Sequence, residues 1–148
     1  MTEIKESEER QEILKKQKFQ YSSEDVLATV LNVLEDKHAE DIFCAEVSAH
    51  TTLTDYVVVT HGTSSTQQKV LAETCRKTCN KLKYELLNPL EVRDAEWSVL
   101  DYGSVIVHVF NPDSRAKYNL EKMWEKAPVV DHLEFIKENP CASLDLKN

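Results

Sequence analysis

Two short runs of alternating β-forming residues, 97–101 and 104–110, flank the dipeptide Tyr102-Gly103. Glycine adopts positive φ at little steric cost, and two such runs joined by two residues are typical of a β-hairpin. Because successive side chains of a strand point to opposite faces, the hairpin presents two faces of different chemistry. The chain must therefore build a sheet that buries one of these faces.

The two faces of the predicted hairpin differ in composition. With Tyr102 and Gly103 as the turn, one face carries three cross-strand pairs: Trp97 with His108, Val99 with Ile106, and Asp101 with Ser104. The other is the predicted core face and carries Ser98, Leu100, Val105, Val107 and Val109. A tryptophan beside a carboxylate and an imidazole is typical of partly desolvated contact surfaces. The alternative is that helices cover this face as well, with Trp97 in the core and His108 hydrogen-bonded.

Helical and strand patterns alternate through the remainder of the chain. We predict helices over 22–37, 66–83 and 113–126, strands over 42–47 and 56–60, and a further candidate strand over 84–87. The 56–60 run is nearly continuous in β-branched residues, as in a central strand covered on both faces. This order predicts an α/β fold with a mixed sheet of about four to five strands packed by helices.

The helix over 66–83 follows a clear stop signal at Gly62, with hydroxyls at 63–65 that can cap its first turn. Its predicted inward side chains are Val70, Leu71, Cys75, Cys79 and Leu82. Cys75 and Cys79 lie four positions apart, but no second pair of ligands follows nearby, so no metal site is predicted. In the last predicted helix, Arg115, Tyr118, Glu121 and Trp124 follow one another at helical spacing and would share one stripe.

The chain divides into one domain and two tails. Residues 1–20 are mostly charged or amide side chains, too polar to offset the entropy of ordering, and are predicted to be a charged flexible arm. Residues 21–127 form the predicted α/β domain. Residues 128–148 carry only a short apolar cluster and are predicted to be a partly disordered C-terminal tail.

The charge balance excludes several classes of function. The chain has 18 basic and 26 acidic side chains, a formal net charge of −8. Because an acidic chain repels phosphate backbones, direct sequence-specific binding of nucleic acid is not expected. No apolar run is long enough to span a bilayer, and residues 1–20 lack the apolar stretch of a signal peptide. We therefore expect an intracellular protein that is neither secreted nor inserted in a membrane.

Three segments in order resemble the Iojap family, the ribosomal silencing factors called RsfS. They are TDY at 54–56 with HGTSS at 61–65, WSVLDYGSVIVH at 97–108, and RAKYNLEKMW at 115–124. The resemblance covers roughly residues 22–126. The chain departs from the family pattern in two places. Glu91 is followed by Val92 and Arg93 rather than by glycine, and Ser104 stands where bacterial members usually have aspartate.

The resemblance implies a nucleotidyltransferase-like α/β fold without catalytic carboxylates, and hence no enzyme and no cofactor. It also implies docking onto the large-subunit ribosomal protein uL14, which blocks joining of the ribosomal subunits and so represses translation or guards assembly of the large subunit. The implied contact residues are Trp97, Asp101, Tyr102, Gly103 and His108, with Arg115, Tyr118 and Trp124. Family members occur in bacterial cytoplasm and in organelles, so the expected compartment is cytoplasmic in a bacterium and the mitochondrial matrix in a eukaryote.

Two alternatives of other classes remain at this point. A nucleotidyltransferase-like enzyme would need two or three clustered carboxylates to hold metal ions, and the strand at Asp101 has Val99 and Gly103 two positions away on either side. A homodimeric module without ribosome binding would pair its strand face or its final helix with a second copy. Homodimerisation is also compatible with ribosome binding.

Overall fold

The computed structural model describes residues 8–12, 21–88 and 96–140. Its sheet has four strands: β1 (Glu40–Glu46), β2 (Tyr56–His61), β3 (Trp97–Asp101) and β4 (Val105–Phe110). They lie in the order β1-β2-β4-β3, with β2 and β4 parallel and both outer strands antiparallel to their neighbours. The predicted mixed α/β sheet is confirmed with four strands. Residues 84–87 do not form the fifth.

In residues 21–88 and 96–140, five helices accompany the sheet: α1 (Ser23–Asp36), α2 (Ser65–Lys81), α3 (Pro112–Tyr118), α4 (Leu120–Met123) and α5 (His132–Glu138). Residues 8–12 form a separate short helical segment. The first three labelled helices begin at capping side chains, because Ser22, Ser64 and Asn111 accept the backbone N–H groups of Asp25, Gln67 and Ser114. Within the described residues, every helix is too short or too polar to cross a lipid bilayer.

The sheet has one thickly covered face. Helices α1 and α2 pack on it with the side chains predicted as the core face of the hairpin, and Leu100, Val105, Val107 and Val109 are all fully buried there. The opposite face carries a smaller apolar cluster under α3 and α4, at the end of the sheet where Phe110 lies. Because β2 has neighbours on both edges and both faces, its first five residues are buried, as predicted for a central strand.

The hairpin faces are as predicted, but its register is not. Trp97 pairs with Phe110, Val99 with His108 and Asp101 with Ile106, so every partner lies two positions beyond the predicted one. The connecting residues are Gly103 and Ser104 rather than Tyr102 and Gly103, since the Tyr102 N–H donates to the Val105 carbonyl at 2.9 Å. Gly103 has a φ of 84° and supplies the positive dihedral that the turn needs. A shift of two residues leaves each side chain on its predicted face.

The single helix predicted over 113–126 is wrong. Asn119 adopts a left-handed conformation with a φ of 44° and ends α3, and the chain restarts as the short α4. Asparagine tolerates this conformation better than most residues and commonly ends helices. The four residues expected on one stripe are therefore separated: Arg115 and Tyr118 lie on α3, Glu121 lies on α4, and Trp124 follows the end of α4.

Helix α2 and the C-terminal segment also differ from the sequence-based predictions, in the exposure of one side chain and in the packing of residues 128–140. Leu71, Cys75 and Cys79 are buried as predicted, whereas Val70 is 45% exposed. Residues 128–140, assigned from the sequence to the tail, pack on the domain: the Val130 N–H donates to the Cys44 carbonyl at 2.8 Å, and Phe135 of α5 contacts the main core. The part of the predicted tail at 141–148 lies outside the described residues, as do 1–7 and 13–20 of the predicted arm.

Candidate functional site

Four aromatic side chains gather on the thinly covered face of the β3–β4 hairpin. The ring centroid of Trp97 lies 5.1 Å from Phe110, 4.9 Å from Tyr118 and 5.7 Å from His108. Phe110 is fully buried, Trp97 and His108 are partly exposed, and Tyr118 is 42% exposed. We call these four residues the aromatic cluster. It has a packed base and an accessible upper surface, the form of a contact site rather than of a sealed core.

A hydrogen bond orients the aromatic cluster. The Trp97 Nε1–H donates to His108 Nδ1 at 3.0 Å, so Nδ1 is deprotonated and the neutral ring carries its proton on Nε2. Burial lowers the pKa of His108 to about 4, and the Asp101 carboxylate opposes this shift. The imidazole is therefore neutral at physiological pH and presents an N–H donor at Nε2.

This buried imidazole predicts a dependence of stability on pH. The pKa of His108 is about 4 in the folded state, below the ordinary value of 6.5, so the unfolded chain takes up a proton first as the pH falls. The free energy of unfolding should therefore decrease between pH 7 and pH 5, by about 2 kcal/mol from this group. Urea denaturation at the two pH values measures the effect.

His108→Gln is the matched variant, because glutamine can accept the indole N–H but does not titrate. We expect a smaller loss of stability between pH 7 and pH 5 in this variant. Some loss should remain, since the pKa of His61 is also lowered by burial and by Arg115. An equal loss in the variant and the natural chain would contradict the assignment.

The hairpin end adjoins the aromatic cluster on the same face. The Asp101 carboxylate there accepts the Gly103 N–H at 2.9 Å, which fixes its orientation beside the turn. Its two oxygens also accept a pair of hydrogen bonds from the guanidinium of Arg10, a residue of the N-terminal segment. The carboxylate is 20% exposed. A carboxylate acceptor thus stands beside the aromatic cluster on the edge strand β3.

Of the other residues predicted for the contact surface, Tyr102 and Gly103 are buried and Trp124 is partly buried. The Tyr102 side chain is 1% exposed and its hydroxyl donates to the Cys75 carbonyl at 3.5 Å, on the opposite side of the sheet. Gly103 is buried in the turn. Trp124 is partly buried and packs against the smaller core cluster. Tyr102 and Gly103 therefore shape the hairpin, and their own exposed surface is small.

Arg115 has an internal role in the structure. The residue is 8% exposed, and its guanidinium donates to the Glu40 carbonyl at 3.3 Å, to His61 Nδ1 at 2.9 Å and to Glu121 at 3.2 Å. These bonds fasten α3 and α4 to the ends of β1 and β2. Since α3 carries Tyr118, Arg115 positions the outer ring of the aromatic cluster rather than extending the surface itself.

The structure adds two residues that sequence reasoning missed. Phe110 forms the base of the aromatic cluster, and the correct hairpin register would have placed it opposite Trp97. Arg10 reaches Asp101 across 91 positions of sequence, and no local pattern signals such a contact. Trp97, His108, Tyr118 and Asp101 are the predicted residues that the structure brings together on one exposed face.

Metal-ligating side chains of the described residues lie apart from one another, and the described cysteines are buried. Between residues 8 and 140, gaps excepted, no three His, Cys, Asp or Glu side chains gather as a metal-binding group. Cys44, Cys75 and Cys79 are buried, and burial raises the pKa of the Cys44 thiol to about 12 and that of Cys75 well above its usual value. The Cys44 and Cys75 thiols therefore stay protonated and are poor nucleophiles. The exposed aromatic cluster is suited to binding.

Comparisons with known proteins agree with the segments noted in the sequence. The chain matches the family model described as "Ribosomal silencing factor during starvation" over residues 20–144. A ribosomal silencing factor RsfS of Halalkalibacterium halodurans is 33% identical over 110 residues, which cover 74% of this chain and 94% of that protein. A solved structure of a Chromobacterium violaceum protein superimposes with a TM-score of 0.68 at 27% identity, over 71% of this chain and 88% of the other.

A mitochondrial protein is also among the relatives. The Mus musculus protein named mitochondrial assembly of ribosomal large subunit protein 1 is 30% identical over 107 residues, which cover 70% of this chain and 47% of that protein. The relatives thus include bacterial and mitochondrial proteins. Because the family model spans most of the sequence and the bacterial relative is matched over nearly its whole length, this chain belongs to the family of ribosomal silencing factors.

Proposed function

We propose that this chain binds the large ribosomal subunit through the ribosomal protein uL14 and sterically prevents the small subunit from joining. The observation that carries the proposal is the aromatic cluster beside Asp101, which is left accessible on a sheet whose other face is covered by helices. Occupying the joining surface would repress translation or guard an immature large subunit. Because the chain belongs to a family named for ribosomal silencing, its relatives do not support the alternative of a nucleotidyltransferase-like enzyme.

The aromatic cluster has the properties of a binding anchor. Tryptophan and tyrosine dominate the energetics of many protein interfaces, because they bury large areas while losing little side-chain entropy. Trp97 is held in place by the His108 hydrogen bond and by stacking on Phe110, so little further ordering is needed on binding. His108 Nε2–H and the Asp101 carboxylate add a donor and an acceptor that can fix the orientation of the partner.

The charge of the chain favours a basic protein over bare RNA. A formal charge of −8 produces long-range attraction to a basic ribosomal protein, while the surrounding phosphates repel the chain. Such steering raises the association rate and directs the encounter toward exposed protein surface on the subunit. The affinity itself would come chiefly from the aromatic cluster.

The names of the relatives support the two outcomes of such docking. The Halalkalibacterium relative is named for ribosomal silencing, and the mouse relative for assembly of the mitochondrial large subunit. A factor that covers the joining surface of the large subunit would serve both outcomes by the same contact.

Sucrose-gradient sedimentation with purified ribosomal subunits tests the proposal. We expect the protein to migrate with the large subunit and to reduce the peak of joined subunits when magnesium is raised. The double variant Trp97→Ala Asp101→Ala should stay at the top of the gradient and leave joining intact. Migration of the natural protein with the small subunit, or large-subunit binding that is undiminished in the double variant, would exclude this site. Capture by isolated uL14 tests the named partner.

A further inference from the structure

We infer that Arg10 occupies, within the chain itself, the place on Asp101 that an arginine of the docking partner takes. The N-terminal segment at 8–12 would then compete with the partner for the hairpin end and lower the affinity of the free protein. The inference rests on the proposed function and adds the chemistry of the partner group that Asp101 recognises, together with a built-in competitor for it.

The contact is a two-point ion pair. Arg10 Nη1 lies 2.8 Å from Asp101 Oδ2, and Nη2 lies 3.1 Å from Oδ1. The same guanidinium donates through Nε to the Leu53 carbonyl at 2.9 Å and through Nη2 to the Gly103 carbonyl at 3.4 Å. Asp101 and the two neighbouring carbonyls together form an acceptor pocket that matches the planar fork of an arginine.

The geometry of this pocket selects arginine over lysine. The Gly103 N–H holds Oδ1 at 2.9 Å, so the carboxylate is fixed with both oxygens directed toward the incoming group. A guanidinium can donate two parallel hydrogen bonds to such a carboxylate and still reach a carbonyl with a third N–H, whereas an ammonium group acts as a point charge. A basic ribosomal protein that presents an arginine beside the aromatic cluster would meet the same acceptors.

The N-terminal segment is suited to being displaced. Residues 8–12 are Glu-Glu-Arg-Gln-Glu, without an apolar side chain to bury. Only Arg10 is partly buried, and Gln11 adds one bond to the Thr52 carbonyl at 3.3 Å. The segment is therefore held by one two-point ion pair and a few carbonyl contacts, with no apolar packing beneath it. An arginine on a partner that also contacts the aromatic cluster can therefore replace it.

Equilibrium binding of the fluorescently labelled full chain to purified large subunits tests this competition. Arg10→Ala should bind about 3- to 10-fold more tightly than the natural chain, and Arg10→Lys should fall between the two. Lys81→Ala removes the same charge from the end of α2, an exposed position, and should leave the affinity unchanged. In an Asp101→Ala background, which itself weakens binding, the gain from Arg10→Ala should disappear.

The outcomes separate this inference from the proposed function. If the natural chain binds the large subunit but Arg10→Ala binds equally or more weakly, the competition is wrong and the proposed function stands. If neither chain binds, the proposed function fails and the inference fails with it. A partner-free measurement adds a second check: the Arg10 Nη–H resonances, which belong to the groups that donate to Asp101, should be protected from solvent exchange in the natural chain and lose that protection in Asp101→Ala. Equal protection in both chains would overturn the inference alone.

Discussion

Replacement of Trp97 by alanine is expected to weaken binding to the large ribosomal subunit at least about 30-fold, the effect of losing one central aromatic anchor. Trp97 touches the other three members of the aromatic cluster, so its removal takes away the ring nearest to Tyr118 and the indole donor of His108. The loss should appear mainly as faster dissociation, because the charges that steer the encounter are unchanged. Titration of labelled protein with purified large subunits measures it.

Two further variants serve as controls for Trp97→Ala: a conservative change at the same position and a change at a remote exposed position. Trp97→Phe keeps a ring against Phe110 but lacks the N–H that donates to His108, and it should retain most of the affinity. Leu133→Ala removes an apolar side chain that is 51% exposed on α5, away from the aromatic cluster, and should bind as the natural chain does. The unfolding free energy of each variant should be measured alongside. Loss of binding by Leu133→Ala, or full binding by a folded Trp97→Ala, would refute the surface.

Gly62→Ala is expected to destabilise the fold by about 3 kcal/mol, at the upper end of the cost of overpacking. A Cβ at position 62 would lie 2.7 Å from the backbone nitrogen of Gln68 and 3.1 Å from the carbonyl carbon of Gln67. These are backbone atoms in the first turn of α2, and they cannot turn aside as a flexible side chain would. The Gly62 N–H also donates to the Phe110 carbonyl at 3.1 Å, so the strain is placed where β2 and β4 are joined.

Urea denaturation at neutral pH measures the effect of Gly62→Ala. Thr66→Ala serves as the control, because position 66 is an exposed helical site nearby and should change the unfolding free energy by less than about 0.5 kcal/mol. If Gly62→Ala unfolds at the same urea concentration as the natural chain, the prediction is wrong, and α2 can move away from the strand end. Since α2 lies on the face opposite the aromatic cluster, the folded fraction of the variant should still bind the large subunit.

The face of Trp97 could be predicted from sequence because it depends only on parity. Strand side chains alternate, so any even error in pairing leaves Trp97, Val99 and His108 on the same side. The pairing itself could not be predicted from local pattern, since both Tyr102-Gly103 and Gly103-Ser104 contain the glycine that a tight turn needs. The contacts that favour the Gly103-Ser104 turn come from residues far away in the sequence. The backbone N–H groups of Asp55 and Tyr56 both donate to the Ser104 carbonyl, at 3.1 and 3.0 Å.

The remaining errors have similar causes. The helical spacing continues past Asn119 and so predicts one helix, whereas Asn119 tolerates the positive φ that ends α3. Val70 satisfied the helical spacing although α2 turns it outward, because the buried stripe of α2 is narrow. The Arg10 contact depends on where residues 8–12 lie against the folded hairpin. No local sequence pattern predicts that placement, because the two partners are 91 residues apart.

The strand order has a consequence for how the protein is made. Strands β1 and β2 can pair as soon as both have been synthesised, but the partner on the other side of β2 is β4, which begins more than 40 residues later. Until the ribosome has passed residue 110, the nascent chain carries a β-branched strand with one open edge, a template for pairing with other chains. A messenger truncated within the intervening region would therefore yield an aggregating fragment rather than a smaller working domain.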